Sequence, residues 1–240
     1  IKGAIGPAVS DYISQEIILA NEKPTTSAII LTLDTPGGLS SSLRVINQQI
    51  LSSNIPILCL VYPQGARAAS AGTYILYACH IAAMASATTL GAATPVMIGG
   101  GFSGGQKSPE KPSEPTAMEK KVLNDSVAYI RSLAQLRGRN EDWAELAVTE
   151  AATMSAQEAL AANVINLIVQ TPEQLLLALN GTGITIDEHQ LVLNLTNVEL
   201  AYRTPDWRNQ FIATITDPNI AYILMLIGIY GLLLEFYSPG

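Results

Sequence analysis

Ser70 sits in a run of very small residues, Gly65-Ala66-Arg67-Ala68-Ala69-Ser70-Ala71-Gly72-Thr73-Tyr74. The run follows an apolar segment, Ile55-Pro56-Ile57-Leu58-Cys59-Leu60-Val61, that reads as a buried strand. Small neighbours let a backbone turn sharply from strand into helix and leave a hydroxyl at the tip, the geometry of a nucleophilic serine. A second glycine turn, Asp34-Thr35-Pro36-Gly37-Gly38, also follows an apolar strand, Ala28–Leu33. Two such turns bring backbone N–H groups of Gly37 or Gly38 and of Ala71 toward one point, which is how an oxyanion hole is built. The plainer reading is also open, because serine is a good helix N-cap and helix starts favour small residues.

A serine nucleophile needs a base. His80 lies in the apolar run Tyr77–Met84 and reads as a core histidine with one ring nitrogen satisfied; His189 lies in a polar turn. Lysines offer the alternative. Thr116-Ala117-Met118-Glu119 fits a capping box, so a helix should start near Ala117 and place Lys120 and Lys121 at its positive end. A helix N-terminus and burial both favour the neutral amine that a general base requires. Periodicity does not choose between the two. Leu123, Val127, Ile130 and Ala134 form one stripe, nearer Lys120, and Met118, Val122, Tyr129 and Leu133 form a second. A solvated charge is the plain alternative for either lysine. Asp34 reads as a cap of its own turn, and Asp125, one turn after Lys121, carries no assigned role. Arg67 either shapes the loop, binds substrate backbone or is surface.

The elements that position these groups alternate. Lys2–Ala8 reads as a strand and turn, Ser10–Glu22 as an amphipathic helix, Ala28–Leu33 as a strand, Ser40–Ser52 as a helix and Ile55–Val61 as a strand. Ser70–Ala78 reads as a helix and His80–Ala85 as a strand. Further on come helices at Trp143–Thr149, Ser155–Ala162 and Pro172–Leu179, a strand at Val164–Val169, and two short strands within Thr182–Leu195 joined around Glu188-His189. Alternation of this kind predicts βαβ units and a largely parallel sheet. The glycine- and proline-rich segment Gly99–Pro115 reads as a loop or a lid over the cleft. Ile220–Leu234 is apolar with no charge until Glu235, which predicts the start of a membrane span over a buried core helix.

The chain resembles the long-form NfeD family, membrane-anchored serine proteases with a Clp protease/crotonase-type domain. The resemblance is carried by Gly3-Ala4-Ile5-Gly6-Pro7-Ala8, Leu33 through Leu39, Gly65 through Tyr74 and Leu90-Gly91-Ala92-Ala93-Thr94-Pro95. It continues in Lys121-Val122-Leu123-Asn124-Asp125, Gly138-Arg139-Asn140 and Asp217-Pro218-Asn219-Ile220-Ala221-Tyr222. It implies a Ser–Lys dyad of Ser70 and Lys121, the latter by register counted back from Ala128-Tyr129-Ile130. It also implies an oxyanion hole from Gly37, Gly38 and Ala71, with no cofactor or metal. Where Clp-type proteases carry a histidine, Thr94-Pro95-Val96-Met97 stands instead, and Ala85-Ser86-Ala87-Thr88 replaces the usual Pro-Gly-Thr turn. Further implications are a substrate with an apolar segment, a stomatin-like membrane protein as partner, and a homo-oligomer, as a dimer. The protease domain, residues 1–200, is expected on the extracytoplasmic side of the cell membrane, with 201–240 a linker and the first part of a membrane domain. The missing initiator Met agrees with a processed or truncated chain.

Composition narrows the field. The 240 residues are 48% hydrophobic and 14% charged, with a formal net charge of −7. A low charge density suits a large core or membrane contact. The acidic balance argues against a nucleic-acid partner, which would need a basic stripe. Cys59 and Cys79 lie in apolar runs and read as two unpaired buried thiols, with a disulfide as the alternative. No Cys/His cluster has metal-ligand spacing. Two readings compete with the protease: a non-enzymatic scaffold for stomatin-like proteins, and an acyl-CoA enzyme of the crotonase type.

Overall fold

Strand β2 (Ile57–Val61) explains the layout of the molecule. All five of its residues are fully buried. Side chains alternate across a strand, so such a run needs a core on each face. Ile57, Cys59 and Val61 join one apolar cluster, and Leu58 and Leu60 join another. The computed structural model describes residues 1–96, 116–186, 189–205, 207–215 and 218–237. Gly99–Pro115, with its lid reading, lies outside them.

β2 pairs in parallel with β1 (Ile29–Leu33) and β4 (Ile81–Met84), and β4 pairs in parallel with β7 (Leu167–Ile168), giving the order β1-β2-β4-β7. The expected parallel sheet is therefore present. The face bearing Cys59 is covered by α1 (Pro7–Glu22), α2 (Ser40–Leu51), α3 (Ala71–Ala78), α4 (Ala117–Leu136) and α5 (Glu141–Thr149). The face bearing Leu58 packs on α7 (Pro172–Leu179) and on the hairpin of β8 (Gly183–Ile186) and β9 (His189–Val192). A second small sheet, in the order β3-β5-β6, joins β3 (Arg67–Ala69), β5 (Thr89–Gly91) and β6 (Thr153–Ser155), with α6 (Ala156–Ala161) following β6.

Local chemistry sets several boundaries. α1 starts at Pro7, three residues earlier than periodicity indicates, because proline suits the first helical turn. The expected strand over Lys2–Ala8 shrinks to single bridges at Lys2 with Asp34 and Ile5 with Gly38. Both expected capping boxes form, Thr116 with Glu119 and Ser155 with Glu158. Cys59 and Cys79 are joined in a disulfide, which corrects the reading of two unpaired thiols. The end of α3 returns onto β2 at that point, with the two Cα atoms 5.9 Å apart.

Beyond the core, residues 197–205 run along a groove of about 1260 Å³ between α1 and β1. They lead to α8 (Trp207–Ile215), which packs on α1, and to α9 (Pro218–Tyr237). Ile220–Tyr237 is an 18-residue apolar stretch with none of it buried, so the reading of a buried core helix does not hold.

Candidate active site

β3 ends at Ala69 and α3 begins at Ala71, so Ser70 is the single residue of the turn. Its φ is +52° and ψ −118°. A non-glycine residue in such a region costs roughly 1–3 kcal/mol and marks functional turns. This geometry decides between the two readings of the serine. A capping residue takes extended dihedrals and its side chain accepts from the helix N–H groups. Ser70 has neither the dihedrals nor the side-chain bond. Its expected helix therefore starts one residue later, and the hydroxyl is left for other use.

The backbone around it is tied down. Ser70 N–H donates to Gly91 O (2.9 Å), and Ser70 O accepts from Thr73 N–H (3.0 Å). The buried Thr73 hydroxyl donates toward Ala68 O (2.8 Å) and Gly91 O (3.0 Å) and accepts from Gly91 N–H (3.1 Å). The small residues are needed for packing: a Cβ on Gly72 would stand 2.6 Å from Thr35 Cγ2. The Thr35–Gly38 turn lies directly against Ser70. A Cβ on Gly37, whose φ is +109°, would stand 2.5 Å from Ser70 Cβ and 2.9 Å from Ser70 Oγ.

Thr35 shapes this turn. It is fully buried, its N–H donates to Arg67 O (2.7 Å), and its hydroxyl accepts from Gly37 N–H (3.0 Å). The role expected of the Asp34 carboxylate thus falls to the next residue, because a hydroxyl two residues back reaches the glycine N–H. Gly38 is held from the other side by Ile5, whose N–H donates to Gly37 O (2.8 Å) and whose carbonyl accepts from Leu39 N–H (2.8 Å). With Gly37 N–H engaged, the N–H groups of Gly38 and Ala71 are those without an acceptor among the described residues.

Both candidate lysines are exposed on the first turns of α4, and no hydrogen bond joins Lys121 or Lys120 to Ser70 among the described residues. The expected burial of this helix end is absent. The buried residues of α4 are Ile130, Leu133 and Ala134, so the helix enters the core only in its second half. Asp125 is taken by Arg44 (2.6 Å), whose guanidinium also lies 3.6 Å from the centre of the Tyr129 ring. Asn47 donates to Tyr129 OH (3.0 Å), and Tyr129 stacks on Tyr74. These contacts join α4 to α2 and α3. Burial pushes the Tyr74 phenol up to about 12, and it donates to Ala93 O (3.2 Å).

His80 is half-buried at the end of α3 rather than in the core, with one ring nitrogen satisfied as expected. Its Nδ1 accepts from Ile57 N–H (3.1 Å), and burial, with the charges of Arg137 and Arg139, holds it down at about 4. Arg67 is exposed. At the replaced turn, Ala87 takes a φ of +58° and the Thr88 hydroxyl closes onto Ala85 O (2.7 Å), so the turn survives without glycine.

Arg139 was legible only as part of a motif, with no role attached. It is buried behind α3. Its guanidinium donates to Leu76 O (2.8 Å), Tyr77 O (2.9 Å), Cys79 O (2.9 Å), His80 O (3.4 Å) and Asn166 Oδ1 (3.1 Å). Arg137 Nε adds a bond to Ala78 O (2.9 Å). Burial, then the Arg137 charge, lowers the Arg139 guanidinium to about 9, so it remains cationic at neutral pH. The carbonyl end of α3 is the complementary partner for it.

The groove under residues 197–205 is lined by none of Ser70, Gly38, Ala71 or Lys121. Among the described residues there is no cluster of His, Cys, Asp or Glu fit to hold a metal.

Residues 1–189 match the model of the N-terminal domain of NfeD1b. The chain is 40% identical over its whole length to the membrane-bound protease PH1510 of Pyrococcus horikoshii, covering 52% of that protein. It is 29% identical, over 88% of its length, to the membrane protein NfeD1b of Bacillus subtilis, covering 44% of that protein. The chain thus spans about half the length of the curated relatives it matches. Among solved structures it resembles the 1510-N membrane-bound stomatin-specific protease. A lysine-to-alanine mutant in complex with a substrate peptide superposes with a TM-score of 0.77 at 37% identity, covering 90% of this chain and 95% of that one. A serine-to-alanine mutant superposes with a TM-score of 0.74 at 37% identity, covering 86% and 95%. On the match over residues 1–189 and the identity to PH1510, the chain belongs to the NfeD1b N-terminal domain family.

Proposed function

We propose that this chain is the catalytic part of a membrane-anchored serine endopeptidase that cleaves apolar segments of stomatin-like proteins. The observation that carries the reading is Ser70 itself. It is held at positive φ between two glycine-containing turns, and its hydroxyl makes no helix cap. Its relatives are named as membrane-bound and stomatin-specific proteases, which supports both the reaction and the substrate class.

In this reading Ser70 Oγ attacks the scissile carbonyl and Lys121 Nζ accepts its proton. The N–H groups of Gly38 and Ala71 donate to the oxyanion, while Gly37 brings the turn against Ser70. The protonated Lys121 then gives its proton to the leaving amine. Water, deprotonated by the same lysine, releases the acyl group from Ser70. Catalytic hydrogen bonds commonly tighten only in the substrate complex. An exposed Lys121 on a helix end is therefore compatible with a base that closes onto Ser70 when peptide binds. Residues 1–200 are the protease domain, on the extracytoplasmic side of the membrane and paired as a dimer, and 201–240 are the linker and first membrane segment.

The test uses the purified chain, an apolar peptide from a stomatin-like protein, and Ser70→Ala. A serine-reactive probe should label wild type at Ser70, and cleavage should vanish in Ser70→Ala while its circular dichroism is unchanged. An unlabelled Ser70 with no peptide cleaved would favour a scaffold or an acyl-CoA enzyme instead. Cleavage retained by a pure Ser70→Ala sample would place the nucleophile elsewhere.

A further inference from the structure

We infer that α8 lies in the headgroup layer of the membrane and docks the α1 side of the domain onto the bilayer. The helix carries Trp207, Phe211 and Ile215 at a spacing of four. At 3.6 residues per turn these fall within an arc of about 80°. All three are exposed, Trp207 by 72% and Phe211 by 60%. Ile212, also exposed, extends the same apolar side. A soluble helix turns such a side inward. Here α8 rests on α1, and its Asn209 and Thr214 border the groove between α1 and β1.

What covers the apolar side follows from the chain beyond it. α8 contacts α9, which begins three residues after α8 ends. Ile220–Tyr237 spans about 27 Å at 1.5 Å per residue, close to the ~30 Å of a hydrocarbon core. A helix that enters a bilayer at Pro218 holds the preceding helix at the surface of that bilayer. Trp and Phe on one face of a short helix are the side chains that settle at the boundary between headgroups and acyl chains. Lipid is therefore the occupant, and the surface is continuous with the span.

The orientation has a consequence for the site. α8 rests on α1, and the residues just before α1 hold the Gly37–Gly38 turn through Ile5. The proposed active site is then one helix away from the lipid surface, where an apolar segment of a membrane protein would emerge. The inference depends on α9 as an anchor and not on proteolysis.

Trp207 supplies the probe. The other tryptophan, Trp143, is 5% exposed in the core. The whole chain is reconstituted into phosphatidylcholine vesicles whose lipids carry bromines at shallow or deep acyl positions. Co-flotation reports the anchor and tryptophan fluorescence reports α8. The inference expects shallow bromines to quench about twice as strongly as deep ones, as for a helix lying in the interface. Trp207→Phe should abolish the quenching, and Phe211→Ser with Ile215→Ser should weaken it. Co-flotation without bromine quenching would overturn the docking and leave the anchor standing. So would Trp207 shielded from aqueous acrylamide yet untouched by bromines, since protein, such as a second copy, would then cover it. Failure to co-float would remove both.

Discussion

Gly37→Ala perturbs the proposed site where its turn lies directly against Ser70. Gly37 has a φ of +109°. An L residue in that region costs roughly 1–3 kcal/mol in backbone strain. The new Cβ would also stand 2.5 Å from Ser70 Cβ, 2.9 Å from Ser70 Oγ and 3.2 Å from Ala69 O. Carbon atoms prefer about 3.5–4.0 Å, so the gap must open by about 1 Å. Ser70 has little freedom to yield, since its N–H and carbonyl are bonded to Gly91 and Thr73. The Thr35–Gly38 turn must move instead and carry the Gly38 N–H out of position. A displacement of about 1 Å in a catalytic array costs on the order of 10²-fold in rate. Stability should fall by about 2 kcal/mol, or roughly 4–8 °C in Tm for a domain of this size. The assay is kcat and KM on an apolar peptide, with calorimetry on the same samples. Gly181→Ala is the control: its φ is +79° with nothing within 4 Å of a new Cβ, so it carries strain without the clash. It should lower Tm and leave kcat alone. If Gly37→Ala stays within about threefold of wild type, less than ~0.7 kcal/mol of barrier, the placement of the oxyanion turn is wrong.

Lys121→Ala should slow acylation at least ~10²-fold in single-turnover experiments, with a far smaller effect from Lys120→Ala; the reverse ranking would move the base by one residue. Arg139→Met leaves the carbonyls behind α3 without their guanidinium donor and should cost about 1–3 kcal/mol or more in urea unfolding, whereas an unshifted midpoint would show that water satisfies them. His80 is held at about 4, below its unfolded value near 6.5, so the unfolded state takes up the proton first. Its contribution is present above pH ~6.5 and is lost as pH falls toward 4, so Tm should drop across that window. His80→Asn, which keeps an acceptor for Ile57 N–H, should flatten the drop, and an unchanged slope would assign the acid sensitivity to other groups.

Much of this architecture was readable because it rests on long or chemically marked segments. β2 is a run of apolar residues bounded by Pro56 and Tyr62, and the boxes at Thr116 and Ser155 are local hydrogen-bond patterns. What escaped reading depends on tertiary pairing. β3 and β5 have three residues each and are strands only because they lie beside one another. Thr35 outranks Asp34 as the turn's acceptor because the fold buries the threonine against Arg67 O. A buried Arg139 runs against the usual placement of arginine, and only the carbonyl end of α3 makes it explicable. α8 was missed because its apolar side faces away from the core, so no inward stripe marks it.

The two ends of α3 show how the fold sustains its proposed nucleophile. At the N-terminal end Ser70 sits in a backbone conformation that costs roughly 1–3 kcal/mol. A free turn would relax into a normal cap and take the hydroxyl with it. Relaxation is opposed because α3 cannot slide or rotate. All of its residues are buried, Tyr77 stacks on Trp143, and Gly72 seats the helix against Thr35. At the C-terminal end Arg137 and Arg139 hold the last carbonyls, and the guanidinium of Arg139 bonds Asn166 near β7 as well. A helix pinned at its carbonyl end transmits that restraint along a rigid backbone to its first turn. The strain at Ser70 and the buried cation behind α3 are thus two halves of one device. Loosening the arginine should therefore impair catalysis before it unfolds the domain, and Arg139→Lys, which keeps the charge and loses the fork of donors, should show the loss in kcat more than in KM.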